Sequence, residues 1–448
     1  MSNEWKSDER ICNRRVSDER ISDELISKGR VSNERISDEL ISEGRVSNKR
    51  ISDETNSNEQ KNYQRISNEP NSDEQNSNQR ISELTLEQLQ PGTPQVLPGG
   101  GFVTLTLVTD SFGSHLHLLT ISNGRLVFTV ILERGMDIGE IRLDAEKISW
   151  EREERYLLHP DHVDLSDNEH SGWDSGFYAA VAAIGPEIFG TPDEVRTVHG
   201  TGSYSPALPE SVRLTWDEQQ ICLEGNVPVR GYGPLPVYAK TVRIVTRYGA
   251  ANLFREDTVR NLTEVAQPVD DGYHIQLAGA YMSGGGSYIL PVSTAKMLLR
   301  DSAPPEVDPL AVYDSETRLD PIRCYQYVPE PVEGLADLPQ VRDYCADGGG
   351  EQLTAEMLVN AGQDTAAYVI RSLQCYPRSL IAKRAVTDRM YALEPCKTRP
   401  NSLEQKTIDG EVVYIGPRGQ SIGWIIIGAS RDPKEITTLA HMIRSAAK

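Results

Sequence analysis

The sequence has few of the features that mark membrane, secreted or metal-binding proteins. No apolar run reaches the roughly 18 residues needed to span a bilayer, and the N-terminus lacks the apolar core of a signal peptide. The 6 cysteines are scattered and form no C-x-x-C pair, which argues against a cysteine zinc site and against a dense disulfide framework. We therefore expect a cytoplasmic protein with free thiols and no membrane partner.

Positive charge is also in short supply. The 46 Lys and Arg residues are outnumbered by 66 Asp and Glu residues in a chain of 448, which gives a formal net charge of −20. Such a net negative charge argues against a surface that binds nucleic acid and against binding to an anionic membrane surface. We expect no nucleic-acid partner.

Residues 1–84 form a low-complexity repeat. The segment from Arg20 to Glu34 returns almost unchanged from Arg35 to Lys49, with an inner period of five residues. A period of five fits neither a helix nor a strand, and apolar residues are too sparse to offset the entropy of ordering the chain. We predict that this segment is disordered. A solenoid of short repeats and an interaction or tethering segment are the alternatives.

Residues 85–448 have the pattern of one all-β domain. Short runs rich in apolar and β-branched residues alternate with Gly, Asp and Asn, and helical periodicity is largely missing. Two packed antiparallel sheets, a large β-sandwich, would bury so many half-apolar strands. The predicted strands are 102–109, 116–121, 125–132, 138–143, 212–216, 220–224, 237–248, 252–261, 272–280, 356–358, 366–373, 390–393 and 423–428.

Three segments of this domain are less regular. Residues 172–190 are small and apolar and could form a short helix or a buried strand, and residues 433–446 suit a short closing helix or strand. Residues 301–350 are rich in Pro, Asp and Glu and have few strand signals, so we predict that they form a long excursion across the surface.

Glu394 is the most informative carboxylate of the chain. It follows an apolar, strand-like run from Met390 to Leu393 and directly precedes Pro395. Proline has no N–H and biases the preceding residue to extended geometry, so we expect Glu394 to end a strand. Strand ends commonly present side chains to binding sites. The alternative is a solvated acid at a strand edge.

Two histidines could work with such a carboxylate. His199 lies in a glycine-rich turn and His274 in an apolar strand. A histidine with a glutamate can perform general acid–base chemistry. From the unperturbed pKa values, about 4.3 for Glu and about 6.5 for His, we expect Glu to accept a proton and His, with a slightly raised pKa, to donate one. The alternative is that each histidine is a hydrogen-bonded core residue.

Two further features suit sugar binding. The turn from Arg134 to Asp137 follows an apolar strand and could direct the Arg134 guanidinium at sugar hydroxyls or a carboxylate; the alternative is a structural ion pair. Trp173 and its aromatic neighbours lie near glycine turns. Aromatic faces suit the C–H faces of sugar rings, although a core position is the alternative.

Taken in order, these pieces resemble an aldose 1-epimerase-like family of unknown function in the galactose mutarotase-like superfamily. The resemblance covers about residues 95–430. The motifs of its first half are Arg134-Gly135-Met136-Asp137-Ile138, Ser149-Trp150, Gly176-Phe177, Gly185-Pro186-Glu187, Gly190-Thr191-Pro192, His199-Gly200 and Ser205-Pro206-Ala207. Those of its second half are Glu256-Asp257, Asn261, Tyr273-His274 and Ala392-Leu393-Glu394-Pro395.

This resemblance implies a β-supersandwich that holds a sugar on an open face. Glu394 matches the base that takes the proton from the anomeric hydroxyl, His274 the acid that protonates the ring oxygen, and His199 a histidine that assists binding. No metal and no organic cofactor is implied, because both steps are proton transfers. Gln276 stands where relatives often have asparagine. The further implied sugar-binding residues are Arg134, Asp137, Gln276 and Trp173.

Two readings of the function follow from the sequence. In the first, the protein is an enzyme that interconverts sugar anomers through Glu394 and His274. In the second, the same face binds a sugar or a sugar acid without turning it over. The sequence identifies neither the sugar nor the oligomeric state.

Overall fold

The computed structural model describes residues 81–300, 307–313, 322–345, 351–384 and 389–447. The repeat over residues 1–80, and with it the predicted disorder, lies outside the described residues. Within the described ranges, no helix combines the length and the hydrophobicity needed to cross a lipid bilayer.

The described part of the chain is built mainly of β-strands. The strands are β1 (Ser82–Thr85), β2 (Gln95–Val96), β3 (Phe102–Thr109), β4 (His115–Ser122), β5 (Leu126–Ile131), β6 (Asp137–Leu143), β7 (Glu146–Lys147), β8 (Val181–Ile184), β9 (Arg213–Trp216), β10 (Gln220–Val229), β11 (Tyr238–Arg247), β12 (Asn252–Asn261), β13 (Gln267–Val269), β14 (Gly272–Gln276), β15 (Gly286–Ile289), β16 (Leu298–Leu299), β17 (Ala311–Val312), β18 (Arg323–Tyr327), β19 (Leu353–Asn360), β20 (Ala366–Ser372), β21 (Arg378–Arg384), β22 (Met390–Cys396), β23 (Val413–Ile415) and β24 (Gln420–Ser430). The α-helices are α1 (Asp167–His170), α2 (Pro339–Arg342), α3 (Leu403–Ile408) and α4 (Pro433–Ala446).

Two large antiparallel sheets form the body of the fold. The 10-stranded sheet has the order β1-β9-β10-β11-β12-β24-β20-β19-β15-β17. The 12-stranded sheet has the order β16-β18-β21-β22-β14-β8-β6-β5-β4-β3-β2, with β7 paired to β6. A small 2-stranded sheet joins β13 and β23. The predicted all-β class, a large antiparallel β-sandwich, is confirmed.

Side-chain alternation decides which residues fill the space between the two sheets. On β22, Tyr391 and Leu393 belong to the core that both sheets share, whereas Met390 and Ala392 belong to a second cluster on the outer face of the 12-stranded sheet. Successive side chains of a strand point to opposite faces. Glu394 therefore lies on the outer face, two residues beyond Ala392.

The outer face of the 10-stranded sheet is covered by α4. Its buried residues recur at helical spacing and pack against Phe254, Trp424 and Ile426 of the sheet. The side chain of Asp432 caps the helix by accepting a hydrogen bond from the Lys434 amide. The apolar stripe consists of Ile436, Leu439, Ala440 and Ile443. Of the two structures expected for residues 433–446, the helix is the one formed.

The prediction that residues 301–350 run across the surface is wrong for part of that segment. β18 pairs with β21 at one end of the 12-stranded sheet, and Tyr325 and Tyr327 are buried in the core between the sheets. The Pro- and Asp-rich residues on either side concealed this strand in the sequence. Residues 301–306, 314–321 and 346–350 lie outside the described residues.

The prediction that a strand ends at Glu394 is also wrong. β22 continues through Pro395 to Cys396, because β21 pairs with it over this stretch, with Ser379 opposite Pro395 and Leu380 opposite Glu394. On its other side, the pairing with β14 is interrupted where Pro395 has no N–H to donate. The proline thus lies inside a central strand, and Glu394 projects from the sheet rather than from a loop.

Candidate active site

Strand register brings His274 and Glu394 together. The recorded pairs between β14 and β22 include Gly272 with Cys396 and Ile275 with Leu393, so the same register sets His274 opposite Glu394. His274 Nε2 lies 3.4 Å from Glu394 Oε1. Only 5% of His274 and 2% of Glu394 are exposed to solvent. Two rigid neighbouring strands therefore hold the pair.

His199 reaches the pair from a strained turn. Its φ angle of 63° lies in the left-handed region, as does the 70° of Gly200, a conformation that costs a residue with a side chain about 1–3 kcal/mol. A Cβ at position 200 would lie 2.8 Å from Glu187 Oε2. Glu187 also accepts hydrogen bonds from the hydroxyl and the amide of Thr201. This packing maintains the turn that carries the His199 imidazole.

The three side chains form one cluster. The ring centroids of His199 and His274 are 5.6 Å apart. The nitrogen and oxygen atoms that could bind a ligand, one from each of His199, His274 and Glu394, all lie within 4.8 Å of one another. His199 is half-buried, so it lies on the more accessible side of the cluster. Such a set can exchange protons with a bound molecule or coordinate a metal ion.

Aromatic rings enclose the cluster. The Trp173 ring lies 4.9 Å from the His199 ring, and the Phe177 ring lies 4.6 Å from the His274 ring. Phe189 stacks on His199 at 5.5 Å. Trp173 is fully buried, and within the described part of the chain its Nε1 has no hydrogen-bond partner. The environment is therefore largely apolar, with one unused indole donor.

Burial shifts the pKa values of the pair in opposite directions. It raises the pKa of Glu394 to about 8, with a smaller opposing effect from the charge of Arg300. Burial lowers the pKa of His274 to about 3 and that of His199 well below its usual value. The expectation of a slightly raised histidine pKa is therefore wrong. At neutral pH, Glu394 is mostly protonated and both imidazoles are neutral.

Gln276 is the hydrogen-bond partner of His274 Nδ1. Its side chain is fully buried, and its Nε2 lies 3.2 Å from His274 Nδ1. In this arrangement the amide donates to Nδ1, and the ring proton is on Nε2. A half-turn of the amide would bring Oε1, which has no hydrogen-bond partner, against a protonated Nδ1 instead. Gln276 can therefore select either tautomer.

Arg134 supports the aromatic wall from behind. Only 2% of it is exposed, its Nε donates to the Ser203 carbonyl at 2.9 Å, and its guanidinium lies 4.1 Å from the centre of the Tyr204 ring. The Tyr204 hydroxyl in turn donates to the Trp173 carbonyl. These contacts are internal to the protein. Direct binding of a sugar by Arg134 stays a prediction.

Asp137 is buried among charges between the sheets. Its Oδ1 accepts a hydrogen bond of 2.9 Å from the Ala183 amide, and its Oδ2 has no hydrogen-bond partner. Burial raises the pKa of this carboxyl, against the opposing charges of Arg255 and Lys240. Asp137 therefore lies in the core of the fold, and a contact with sugar stays a prediction for it too.

A small cavity lies in the same inter-sheet region. Lys240, Asp257, Asp271 and the backbone around Gly185 are among its lining residues, and it has room for about one water molecule. It is too small for a sugar. The Lys240 Nζ and the Asp271 Oδ1 have no hydrogen-bond partner there.

Sequence reasoning missed several residues around the cluster. Phe189 lies in the small, apolar segment 172–190, which gives it no role from the sequence; its amide donates to Asp270, and the buried Lys406 ammonium pairs with the same carboxylate. Arg300 donates from Nη2 to the Pro400 carbonyl at 2.8 Å and to Thr191 Oγ1 at 3.2 Å. These contacts join segments far apart in the chain, so no local pattern could reveal them.

Comparison with known proteins gives a family and a fold. Residues 113–422 match the model of the family described as Domain of unknown function (DUF4432). A candidate aldose 1-epimerase from Klebsiella pneumoniae subsp. pneumoniae superposes with a TM-score of 0.65 at 14% identity, over 82% of this chain and 92% of that chain. A galactose mutarotase-like protein from Clostridium acetobutylicum gives a TM-score of 0.49 at 12% identity, over 74% and 99%. No curated protein sequence matches the chain.

Proposed function

The chain belongs to the DUF4432 family, an aldose 1-epimerase-like family of unknown function with the galactose mutarotase-like fold, and we propose that it is a carbohydrate-binding enzyme that interconverts sugar anomers. The observation that carries this proposal is the pair of His274 and Glu394, opposed on adjacent strands at 3.4 Å. An acid and a base held this close can act on the two oxygens at the anomeric carbon of one sugar.

The reaction needs one transferable proton in the pair. In the reactive form, Glu394 is ionised and His274 is protonated. Glu394 takes the proton of the anomeric hydroxyl, His274 gives its Nε2 proton to the ring oxygen, and the bond between the anomeric carbon and the ring oxygen breaks. The pair is then left as protonated Glu394 and neutral His274. After rotation about the bond next to the carbonyl, the reverse transfers close the ring as the other anomer.

The pKa values describe the resting state of this cycle. The raised pKa of Glu394 and the lowered pKa of His274 leave the single proton on Glu394 before the sugar binds. Transfer of that proton to His274 Nε2 requires Nδ1 to carry the other ring proton. A half-turn of the Gln276 amide supplies the acceptor for Nδ1–H. Gln276 is thus proposed as a positioning residue that acts through His274.

His199 and Trp173 complete the proposed site. His199 is the most exposed member of the cluster, and the proposal places the sugar on its side of the pair. Trp173 offers an aromatic ring and an unpaired indole N–H beside both histidines. These groups suit the C–H face and a hydroxyl of a sugar ring.

A non-catalytic module for a sugar or a sugar acid is the second candidate. The mostly protonated state of Glu394 at neutral pH favours it, because a protonated carboxyl is a poor base. The positive charge of Arg300 lowers the pKa values of Glu394 and His199. The same charge favours an acidic ligand. Calorimetry and anomer exchange on one panel of aldoses and uronic acids separate the two. Saturable heat without exchange supports the module; exchange above the uncatalysed rate supports the enzyme.

A further inference from the structure

The side-chain nitrogen and oxygen atoms of His199, His274 and Glu394 that could transfer protons could also bind a metal ion. Two imidazole nitrogens and one carboxylate oxygen form a ligand set that zinc uses with a fourth position left open. The Nε2 and Oε1 atoms of His274 and Glu394 are 3.4 Å apart. This is close to the separation of two ligands on one tetrahedral zinc ion, whose bonds measure about 2.0–2.2 Å.

The third ligand is within reach of the same point. Because the three atoms all lie within 4.8 Å of one another, one point lies no more than about 2.8 Å from each of them. Each atom would move by less than about 1 Å to reach zinc-bonding distance. Small side-chain rotations suffice, while β14, β22 and the turn at Gly200 keep their backbone.

The charge balance also favours a cation. Among the described residues, neither Lys nor Arg lies within ion-pairing distance of the Glu394 carboxyl, and His274 is the titratable group beside it. Trp173, Phe177 and Phe189 exclude water from much of the surroundings. A buried carboxylate is stabilised by a positive charge in contact with it. A bound metal ion would supply that charge.

Gln276 provides a suitable neighbour for a metal-bound histidine. A histidine that binds a metal through one nitrogen usually donates its other N–H to an oxygen. The Gln276 side chain lies 3.2 Å from His274 Nδ1, and its Oε1 is free of any other hydrogen bond. After a half-turn of the amide, Oε1 would accept Nδ1–H and leave Nε2 free to bind the ion.

We propose that His199, His274 and Glu394 form a binding site for a divalent transition-metal ion of the zinc type, and that the ion and the sugar exclude one another. The metal site goes beyond the sugar chemistry, since it requires only metal binding, whereas the exclusion of sugar rests on the proposed function. Its consequence for the enzyme is inhibition: zinc occupies the base and the acid that the anomeric centre needs.

Metal titration of the full-length, chelator-treated protein tests the site. Calorimetry with Zn²⁺ alone should give saturable binding of one ion per chain, and Co²⁺ should give the visible absorption of a four- or five-coordinate nitrogen–oxygen site. Glu394→Gln and His199→Asn should each weaken Zn²⁺ binding by at least about 100-fold. Asparagine is chosen at position 199 because it tolerates a positive φ.

A surface pair supplies the matched control. His117 Nδ1 and Glu133 Oε1 are 2.6 Å apart, but no second histidine joins them. His117→Ala should leave Zn²⁺ binding unchanged. Histidine NMR resonances of the wild-type protein provide a check that needs no variant: Zn²⁺ should shift those of His199 and His274 first, and a bound sugar should weaken Zn²⁺ binding.

Several results would overturn the proposal. They are the absence of saturable Zn²⁺ binding, binding that survives both Glu394→Gln and His199→Asn in folded proteins, or binding that His117→Ala removes. The outcome is distinguishable from a failure of the sugar chemistry. A protein that binds Zn²⁺ but exchanges no anomers loses only the proposed function, and a protein that exchanges anomers but ignores Zn²⁺ loses only the metal site.

Discussion

His274 and Glu394 face each other across two antiparallel strands, with Nε2 3.4 Å from Oε1. The pair lies where Pro395 interrupts the hydrogen bonding between β14 and β22. Both side chains are buried, His274 against the rings of Trp173 and Phe177. Burial moves their pKa values to about 8 for Glu394 and about 3 for His274. Between these values the pair holds a single proton, which is what a cycle of two opposed proton transfers requires.

The first prediction concerns the pH dependence of activity. Anomer exchange should be constant from about pH 4 to about pH 7 and should fall about tenfold per pH unit above the Glu394 pKa of about 8, as the pair loses its last proton. Unshifted groups would lose activity already above about pH 6.5. The check is kcat/KM, which reports the pKa values of the ligand-free enzyme, for chelator-treated protein over pH 4–10. A decline centred near pH 6.5 would contradict the shifted pair.

The second prediction concerns the free energy of unfolding and its dependence on pH. The folded protein holds the Glu394 proton up to about pH 8, whereas the unfolded chain releases it near the ordinary pKa of 4.5. Between these values the folded state binds more protons, so this group's contribution to stability is lost as pH rises. Wild type should therefore lose stability relative to Glu394→Gln from about pH 4.5 to about pH 8. Urea denaturation of both proteins at several pH values measures this difference, which should be constant above that range.

The third prediction concerns Gln276. Gln276→Met keeps the volume but removes the amide that fixes the His274 tautomer, so kcat should fall about 10- to 100-fold with little change in KM. Nitrogen NMR of the histidine ring should show mixed tautomers in the variant and one tautomer in wild type. A large rise in KM at unchanged kcat would mean that Gln276 binds the sugar instead.

The fourth prediction concerns the support of the aromatic wall. Lys406 is 1% exposed, pairs with Asp270 and donates to the Phe189 carbonyl at 2.6 Å. Lys406→Met would leave a buried carboxylate without its cation and should destabilise the protein by about 3–5 kcal/mol. Thermal or urea denaturation provides the measurement.

Lys296 is the matched control for Lys406. It forms an ion pair of 3.2 Å with Glu330, and the two side chains are 55% and 36% exposed. Lys296→Met should cost about 1 kcal/mol or less, because solvent screens an exposed pair. Equal losses of unfolding free energy in the two variants would mean that burial does not make the Lys406 pair more important for stability than the exposed pair.

The sequence predicts some strands of the two sheets and misses others. The bounds of β3 and β12 match the predicted strands. For β3, apolar residues alternate with Thr over most of the strand, and Gly101 and Asp110 flank it. β21 was not predicted: its inward positions include Ser379 and Lys383, which sequence patterns assign to solvent. In the fold, Arg371 and Glu356 bind Ser379, and the carbonyls of Pro309 and Ala311 bind Lys383. These partners are distant in the chain.

The candidate site could likewise be predicted only in part from the sequence. His274 and Glu394 could be selected from the sequence by residue type and by family resemblance. Their 3.4 Å contact depends on the register between β14 and β22, which no local pattern encodes. The reversed order of their pKa values depends on burial of both side chains, which for His274 involves Trp173 and Phe177, about 100 positions earlier in the chain. Local sequence thus predicts candidate chemistry, whereas non-local packing decides its proton state.

Anomer exchange in Glu394→Gln tests the central claim most directly. Proton NMR saturation transfer at neutral pH would compare wild type, Glu394→Gln and the control Glu133→Gln on aldoses and uronic acids. Glu133 forms the other His–Glu pair described above, with His117 on the protein surface. We predict that wild type and Glu133→Gln accelerate exchange of at least one sugar and that Glu394→Gln is slower by about 10²–10⁴-fold in kcat. Equal exchange by folded Glu394→Gln and wild type would contradict the account.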